Sequence, residues 1–292
     1  MTELDLLSVQ RLARTAGDLG HYNLGKLLQA ASAAWINRTL YTAELPKTDR
    51  ALASALAAIE PHLIETGVDR SLIDAIRYAR DIISAQGLVL YPNAPPIYVC
   101  RVCGEVARET APDHCPHCGA GRLTFQFFPA AYYLEPVPID LILDQMARTP
   151  DWLDELLRGV SVDQARQQVD GAEGAWSLLE AAGHLLDTQY LIAQRVELFL
   201  SQPAPDLNAK SMWQTVESAA LPVKDIAAHF RQSRTAMLEQ LGAAPSDYWA
   251  RVGQHTEFGP VTLQQQCSYF AKHEQWHMAQ ITRIRHALAQ GA

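Results

Sequence analysis

Four of the five cysteines lie within 19 residues and form two Cys-x-x-Cys pairs. Two intervening residues let both sulfurs of a pair reach one ion, and the glycine after each pair lets the backbone turn beneath it. Four thiolates at tetrahedral positions suit zinc or a single iron. The spacing therefore predicts a metal site formed by Cys100, Cys103, Cys115 and Cys118.

Two histidines near the C-terminus form a second candidate set of ligands. His273 and His277 are four residues apart, so on a helix they share one face and can chelate one ion. Together with Glu274, they also match the His-Glu-x-x-His motif of zincin proteases. A zincin takes its third ligand downstream, but residues 278–292 contain no acidic residue, and Arg283 stands where the extended motif has histidine. The protease interpretation is therefore disfavoured.

The third ligand is then expected upstream, where His184 lies in an apolar helical pattern. Taken alone, His184 is equally well explained as a hydrogen-bonded core histidine, because a buried imidazole needs a partner. Asp187, nearly one turn later, could orient a ligand or be an exposed acid. Glu274 is interpreted as a solvated charge, and Gln280 is expected to hydrogen-bond across the helices.

Other candidate residues are given structural roles. Cys267 is interpreted as a small core residue rather than a nucleophile. His114 and His117, which flank the second cysteine pair, are expected to be exposed turn residues rather than further ligands.

Helical periodicity flanks the cysteine segment on both sides. Residues 4–90 predict three or four helices, and the proline-rich residues 91–96 predict a stiff linker. In the C-terminal half, helices are expected near residues 139–158, 176–201, 222–242 and 261–288. The predicted domains are an N-terminal helical region (1–92), a small β-rich four-cysteine module (97–129) and a four-helix bundle (138–288). The fold class is therefore mostly α.

The composition excludes several classes of protein. Lys and Arg number 24 against 32 Asp and Glu, so no cationic surface for nucleic acid is expected. No apolar stretch approaches the length of a membrane span, and the first residues lack a signal-peptide pattern. The expectation is a cytoplasmic protein that acts on a small molecule, without nucleic-acid or membrane partners. Whether it forms a homodimer is left open.

The cysteine segment resembles the rubredoxin-like module of rubrerythrins. The shared features are Tyr98 before the first cysteine, the two knuckles with their glycines, and the trailing Phe125 and Phe128. The resemblance implies an electron carrier with one iron, although the same knuckles also hold structural zinc. Residues 1–96 contain no Glu-x-x-His motif for a rubrerythrin di-iron site. A structural zinc is therefore slightly favoured over a redox-active iron at the four cysteines.

Residues 138–288 resemble the DinB-like (YfiT-like) metalloenzymes. The matching features are listed in chain order: Trp176-Ser177, His184-x-x-Asp187, Gly259–Leu263 at the start of the last helix, and His273-x-x-x-His277-x-x-Gln280-Ile281. The resemblance implies that His184, His273 and His277 hold a divalent metal (zinc, nickel or iron) in an open site. Family members with known activity are thiol-dependent transferases and an isomerase, which implies a low-molecular-weight thiol as cosubstrate.

The leading functional hypothesis is a metal-dependent transferase or isomerase that activates a thiol or water. The alternative is a non-enzymatic metal or redox sensor, or an electron-transfer protein, that uses the four-cysteine site. A third hypothesis is a scaffold in which both metals are structural. Open coordination at three histidines favours the enzyme, and the neighbouring thiolate-rich site favours the sensor.

Overall fold

The computed structural model describes residues 3–43, 45–46, 48–130, 132–169, 176–207 and 221–290. These residues are mostly helical, with two small antiparallel sheets. The chain divides into two compact units, Met1–Leu52 and Ala53–Ala292. The predicted N-terminal region of residues 1–92 therefore contains helices of both units, and its boundary remains a prediction.

The N-terminal unit contains two helices, α1 (Glu3–Asp18) and α2 (Tyr22–Thr42), which pack against each other. Helices α3 (Asp49–Glu65) and α4 (Arg70–Ser84) follow. Two arginines of α4, Arg77 and Arg80, donate hydrogen bonds to the carboxylate of Glu60 on α3, at 2.6 and 3.0 Å. Of the three or four helices predicted for residues 4–90, four are thus present. None of the described helices is both long and apolar enough to cross a membrane.

The four-cysteine module is a three-stranded antiparallel sheet. Its strands are β1 (Ile97–Cys100), β2 (Val106–Arg108) and β3 (Phe125–Phe128), in the order β2-β1-β3. Strand β1 begins directly after the two prolines that end the linker, as the sequence predicts. Gly104 and Gly119 have φ values of +86° and +75°, a region that favours glycine, so each cysteine pair ends in a turn.

The C-terminal half contains the predicted bundle. Its long helices are α5 (Ile139–Leu157), α7 (Leu178–Ser201), α8 (Val223–Ala243) and α9 (Leu263–Ala289), and a short helix, α6 (Val162–Arg166), follows α5. Helix α7 packs on α8 and α9, and α5 also packs on both of them. Each long helix begins and ends within two residues of its predicted bounds. The mostly α fold is confirmed.

The last helix begins at Leu263, two residues after its predicted start, and the residues before it form a strand. Residues Gly259–Thr262 form strand β5, which pairs with β4 (Val252–His255) in an antiparallel hairpin. Gly259 has a φ of +73°, and the β-branched Val261 and Thr262 suit a strand. The Thr262 side chain accepts a hydrogen bond from the Gln265 amide, and the Gln265 side chain accepts one from the Thr262 amide. This capping box places the first helical residue at Leu263.

A buried polar network joins all four long helices of the bundle. Arg234 on α8 pairs with Glu274 on α9, with 2.6 Å between Nη2 and Oε2. Thr149 on α5 donates a hydrogen bond to Glu274 at 2.7 Å, and Arg234 donates to Gln189 on α7 at 2.7 Å and to the Met146 carbonyl at 2.8 Å. The prediction that Glu274 is a solvated charge is wrong, because its side chain is only 3% exposed.

Removing the cation of this network should destabilise the protein strongly. Arg234→Ala should lower the free energy of unfolding by about 3–5 kcal/mol, because it leaves the Glu274 carboxylate buried and unpaired. The double variant Arg234→Met/Glu274→Leu should recover part of that loss, since no charge then remains buried. Urea unfolding followed by helical circular dichroism measures both effects.

The matched control is Arg231→Ala, which removes a partly exposed arginine from the same helix. Arg231 pairs with Asp151 and Asp154 at the surface, so its loss should cost less than about 1 kcal/mol. Equal destabilisation by Arg234→Ala and Arg231→Ala would show that the buried pair has no special role.

Candidate metal centres

The three predicted histidines converge between two packed helices. The Nε2 atom of His273 on α9 lies 3.5 Å from Nε2 of His184 on α7 and 3.2 Å from Nε2 of His277. Zinc–nitrogen bonds of about 2.0–2.1 Å in a tetrahedral site place two ligand nitrogens about 3.3 Å apart. The separations therefore fit three imidazoles that share one ion.

Gln280 orients one of the three rings. Its Oε1 atom lies 2.9 Å from Nδ1 of His277, three residues earlier on α9. Because the amide oxygen only accepts, Nδ1 carries the proton and Nε2 keeps its lone pair for a metal. The expectation that Gln280 bonds across the bundle is wrong, since its partner is on the same helix. Within the described part of the chain, the buried Nδ1 of His273 has no hydrogen-bond partner.

Aromatic rings enclose the three imidazoles. Trp176 is stacked on His277, with ring centroids 5.6 Å apart and planes at 7°, and it meets His184 edge-on at 5.0 Å. Tyr269 is stacked on His273 at 5.8 Å and 12°. Tyr133, from the segment before α5, meets His273 edge-on at 6.4 Å. These contacts restrict rotation of the imidazoles about their side-chain bonds.

The two tyrosines, Tyr269 and Tyr133, were not predicted to belong to the site. Tyr269 precedes His273 by four residues, so helical spacing alone places it on the same face. Tyr133 lies in a short 3-10 helix (Tyr132–Leu134) before α5, 140 positions before His273. No spacing rule connects it to the site, and only the fold brings it there.

Burial keeps the three imidazoles neutral. It lowers the pKa of His184 and His273 to about 4, with repulsion from neighbouring histidines as the smaller cause. Burial also lowers the pKa of His277, while its hydrogen bond with Gln280 acts in the opposite direction. Near neutral pH, each ring can therefore offer an unprotonated nitrogen, which is the form that binds metals.

The remaining candidates around the histidines occupy different environments. Glu274 is held by Arg234 in the core, so it is not free to act as the general base that a zincin requires. Cys267 is fully buried, and burial raises the pKa of its thiol to about 12, in agreement with a small core residue. Asp187 is half-buried. The pKa of Tyr190 is raised mainly by burial and to a smaller extent by the charge of Asp187.

The four cysteines also converge. Their sulfurs approach pairwise, with 3.8 Å between Cys100 and Cys118 and 3.6 Å between Cys103 and Cys115. Zinc–sulfur bonds of about 2.3 Å in a tetrahedral site place two sulfurs about 3.8 Å apart, so the donor set fits one ion. His114 and His117 are exposed in the neighbouring turns, as predicted.

Comparisons with known proteins identify both modules. The family model of the DinB superfamily matches residues 145–281, and that of the rubrerythrin rubredoxin-like domain matches residues 98–126. The first match includes the three histidines and the second includes the four cysteines. The chain thus carries a rubredoxin-like domain of the rubrerythrin type followed by a DinB superfamily domain, and both resemblances are confirmed.

One solved structure that the chain matches is described as "YfiT from Bacillus subtilis is a probable metal-dependent hydrolase with an unusual four-helix bundle topology". It is 17% identical, with a TM-score of 0.45, and the match covers 51% of this chain and 89% of that chain. No curated protein matches the sequence.

Losing the four-cysteine site should unfold its module alone. Cys103→Ser/Cys115→Ser should release one metal per chain and make residues 97–129 sensitive to protease, because so short a unit buries too little surface without an ion. Helical circular dichroism should remain nearly unchanged, since the bundle has its own apolar core. Elemental analysis and limited proteolysis test this expectation.

Cys267→Ala is the matched control, because it removes a cysteine outside the cluster and should keep the full metal content. The assignment fails if the double serine variant retains both its metal and its protease resistance.

Proposed function

We propose that the DinB-type domain is a metal-dependent enzyme in which His184, His273 and His277 hold a divalent ion. Its reaction is the transfer or isomerisation of a small molecule through an activated thiol or water. This proposal rests on the number of ligand side chains that come together at the site. Among the described residues, the cluster contains three ligand side chains and no fourth from Cys, His, Asp or Glu. Three protein ligands and an open position are typical of catalytic zinc, whereas structural sites have four.

The donor set also favours an anionic ligand at the open position. Three neutral imidazoles leave the full charge of a divalent ion uncompensated, and the described donor cluster contains no carboxylate or thiolate. When bound, the ion supplies Lewis acidity that lowers the pKa of a coordinated thiol or water. A thiol then becomes available as thiolate near neutral pH, which supports a low-molecular-weight thiol as cosubstrate.

The residues of the chain hold this site in one geometry. Gln280 fixes the tautomer of His277, and stacking by Trp176 and Tyr269 restricts the planes of His277 and His273. Ligands held in advance by neighbouring contacts bind an ion without first being ordered. The aromatic walls also reduce access of bulk water to the rings they cover.

Electron transfer at the four-cysteine site is the second candidate function, and the rubredoxin-like family match favours it. A single iron in that module would make the purified protein red, whereas stoichiometric zinc would leave it colourless. We propose zinc with a structural role, because residues 1–96 contain no Glu-x-x-His motif for a di-iron site that would accept electrons from an iron in this module. The visible spectrum and metal content of one preparation distinguish these two assignments.

Cobalt substitution tests the proposed enzyme directly. Adding a small thiol to the cobalt-loaded protein should produce additional sulfur-to-metal charge-transfer bands, because the thiolate binds the open position. The four cysteines already contribute such bands, so the thiol-dependent increment is the signal. His184→Ala should abolish this increment, whereas the exposed His229→Ala control should keep it.

Where the increment appears, transfer of the thiol to an epoxide or haloarene should be measured and should disappear in His184→Ala. If added thiol does not change the spectrum of the cobalt-loaded wild type, the thiol-dependent reaction is excluded. The remaining explanations are then activation of water or a site with no open position.

A further inference from the structure

A cavity of about 260 Å³ lies where the four-cysteine module meets the bundle, within the compact unit of residues 53–292. Three parts of the chain enclose it: the proline-rich linker, the end of β3 with the residues after it, and the β4–β5 hairpin with the first turn of α9. The lining residues are Tyr91, Ala94–Ile97, Phe127–Ala130, Leu134, Phe258, Pro260, Val261 and Gln265.

The lining has the chemistry of an apolar ligand site. It contains four aromatic rings and four prolines, and none of its residues is charged. Gln265 and the hydroxyl of Tyr91 supply the polar side-chain groups. Such a wall favours uncharged, flat molecules, because charged groups would lose hydration without gaining a partner.

The cavity has a buried floor and an accessible rim. Leu134 and Val261 are 3% and 2% exposed, whereas Phe127 and Phe128 are 47% and 46% exposed. A phenylalanine side chain that remains half in water gains from any apolar molecule that covers it. The gradient of exposure also gives a ligand a path from solvent to the floor.

Close contacts hold one wall of the cavity in place before any ligand binds. The ring of Tyr91 lies against Gly259, where an added Cβ would come within 2.5 Å of the ring. The Tyr91 amide donates a hydrogen bond to the Thr256 carbonyl at 3.3 Å, and Phe258 is stacked on His255 at 4.3 Å and 9°. The linker is thereby attached to the hairpin, so this part of the wall requires no ordering when a ligand enters.

We propose that this cavity binds a small, uncharged aromatic molecule of one or two rings. A dry apolar cavity of about 150 Å³ is enough to bind benzene, so about 260 Å³ accepts a somewhat larger molecule and excludes a folded peptide segment. The site is separate from the histidines, since Gln265 and His273 are eight residues apart on α9, about 12 Å. The proposal therefore does not depend on a metal or on the proposed reaction.

The cavity nevertheless has a contact route to the histidines. Phe258 in its wall lies 5.5 Å from the ring of Tyr269, which is stacked on His273. Leu134 in its floor follows Tyr133, which contacts both Tyr269 and His273. A ligand that shifts these rings would therefore change the surroundings of His273.

Calorimetric titration of the full chain with indole tests the proposal. Indole should bind saturably with one site per chain, and indole-3-acetate should bind at least tenfold more weakly because of its charge. Ala94→Trp and Ala130→Trp, which add bulk from two different sides, should each weaken indole binding at least tenfold. Ala57→Trp, on the exposed surface of α3, is the matched control and should bind indole like the wild type.

Circular dichroism and metal content establish that each variant is folded. The proposal is overturned if indole shows no saturable binding to the wild type. It is also overturned if both filled variants bind indole with wild-type affinity, because the ligand would then occupy a different place.

Discussion

The buried ion pair between Arg234 and Glu274 constrains how the last helix meets the rest of the bundle. Glu274 directly follows His273, about 100° around α9, so its inward position sets the direction of the histidine face. Rotating α9 would separate two charges that are almost completely removed from water, at a cost of several kcal/mol. The pair therefore fixes the orientation in which His273 and His277 face α7, where His184 completes the cluster.

The two candidate metal centres differ in the coordination positions that their donor sets would leave free. Four cysteines fill a tetrahedral site and leave no position for a substrate, which fits a module whose three short strands need an ion to fold. The three histidines lie in a bundle that already has a large apolar core, so we expect it to fold without an ion at this site. In the proposed function, three neutral imidazoles would leave the charge of the ion available to a thiolate or hydroxide.

The sequence predicts the long helices, the four cysteines and the pair His273 and His277 because these depend on local spacing, whereas His184 was added through the DinB-like resemblance. Cys-x-x-Cys pairs and histidines four residues apart can be recognised within one segment. The environment of Glu274 could not be predicted in this way, since its partners Arg234 and Thr149 come from other helices. The β4–β5 hairpin was also missed, because the strand Gly259–Thr262 continues directly into α9 and its pairing partner lies in another segment.

The central claim is that three histidines hold one ion with an open position. Anomalous diffraction from crystals of the metal-loaded protein, recorded at the absorption edge of the bound metal, tests it most directly. The account predicts one peak among the four cysteines and a second peak about 2.0–2.2 Å from Nε2 of His184, His273 and His277, with a non-protein ligand completing its coordination. Absence of the second peak, or a fourth side chain that closes the site, would contradict the account.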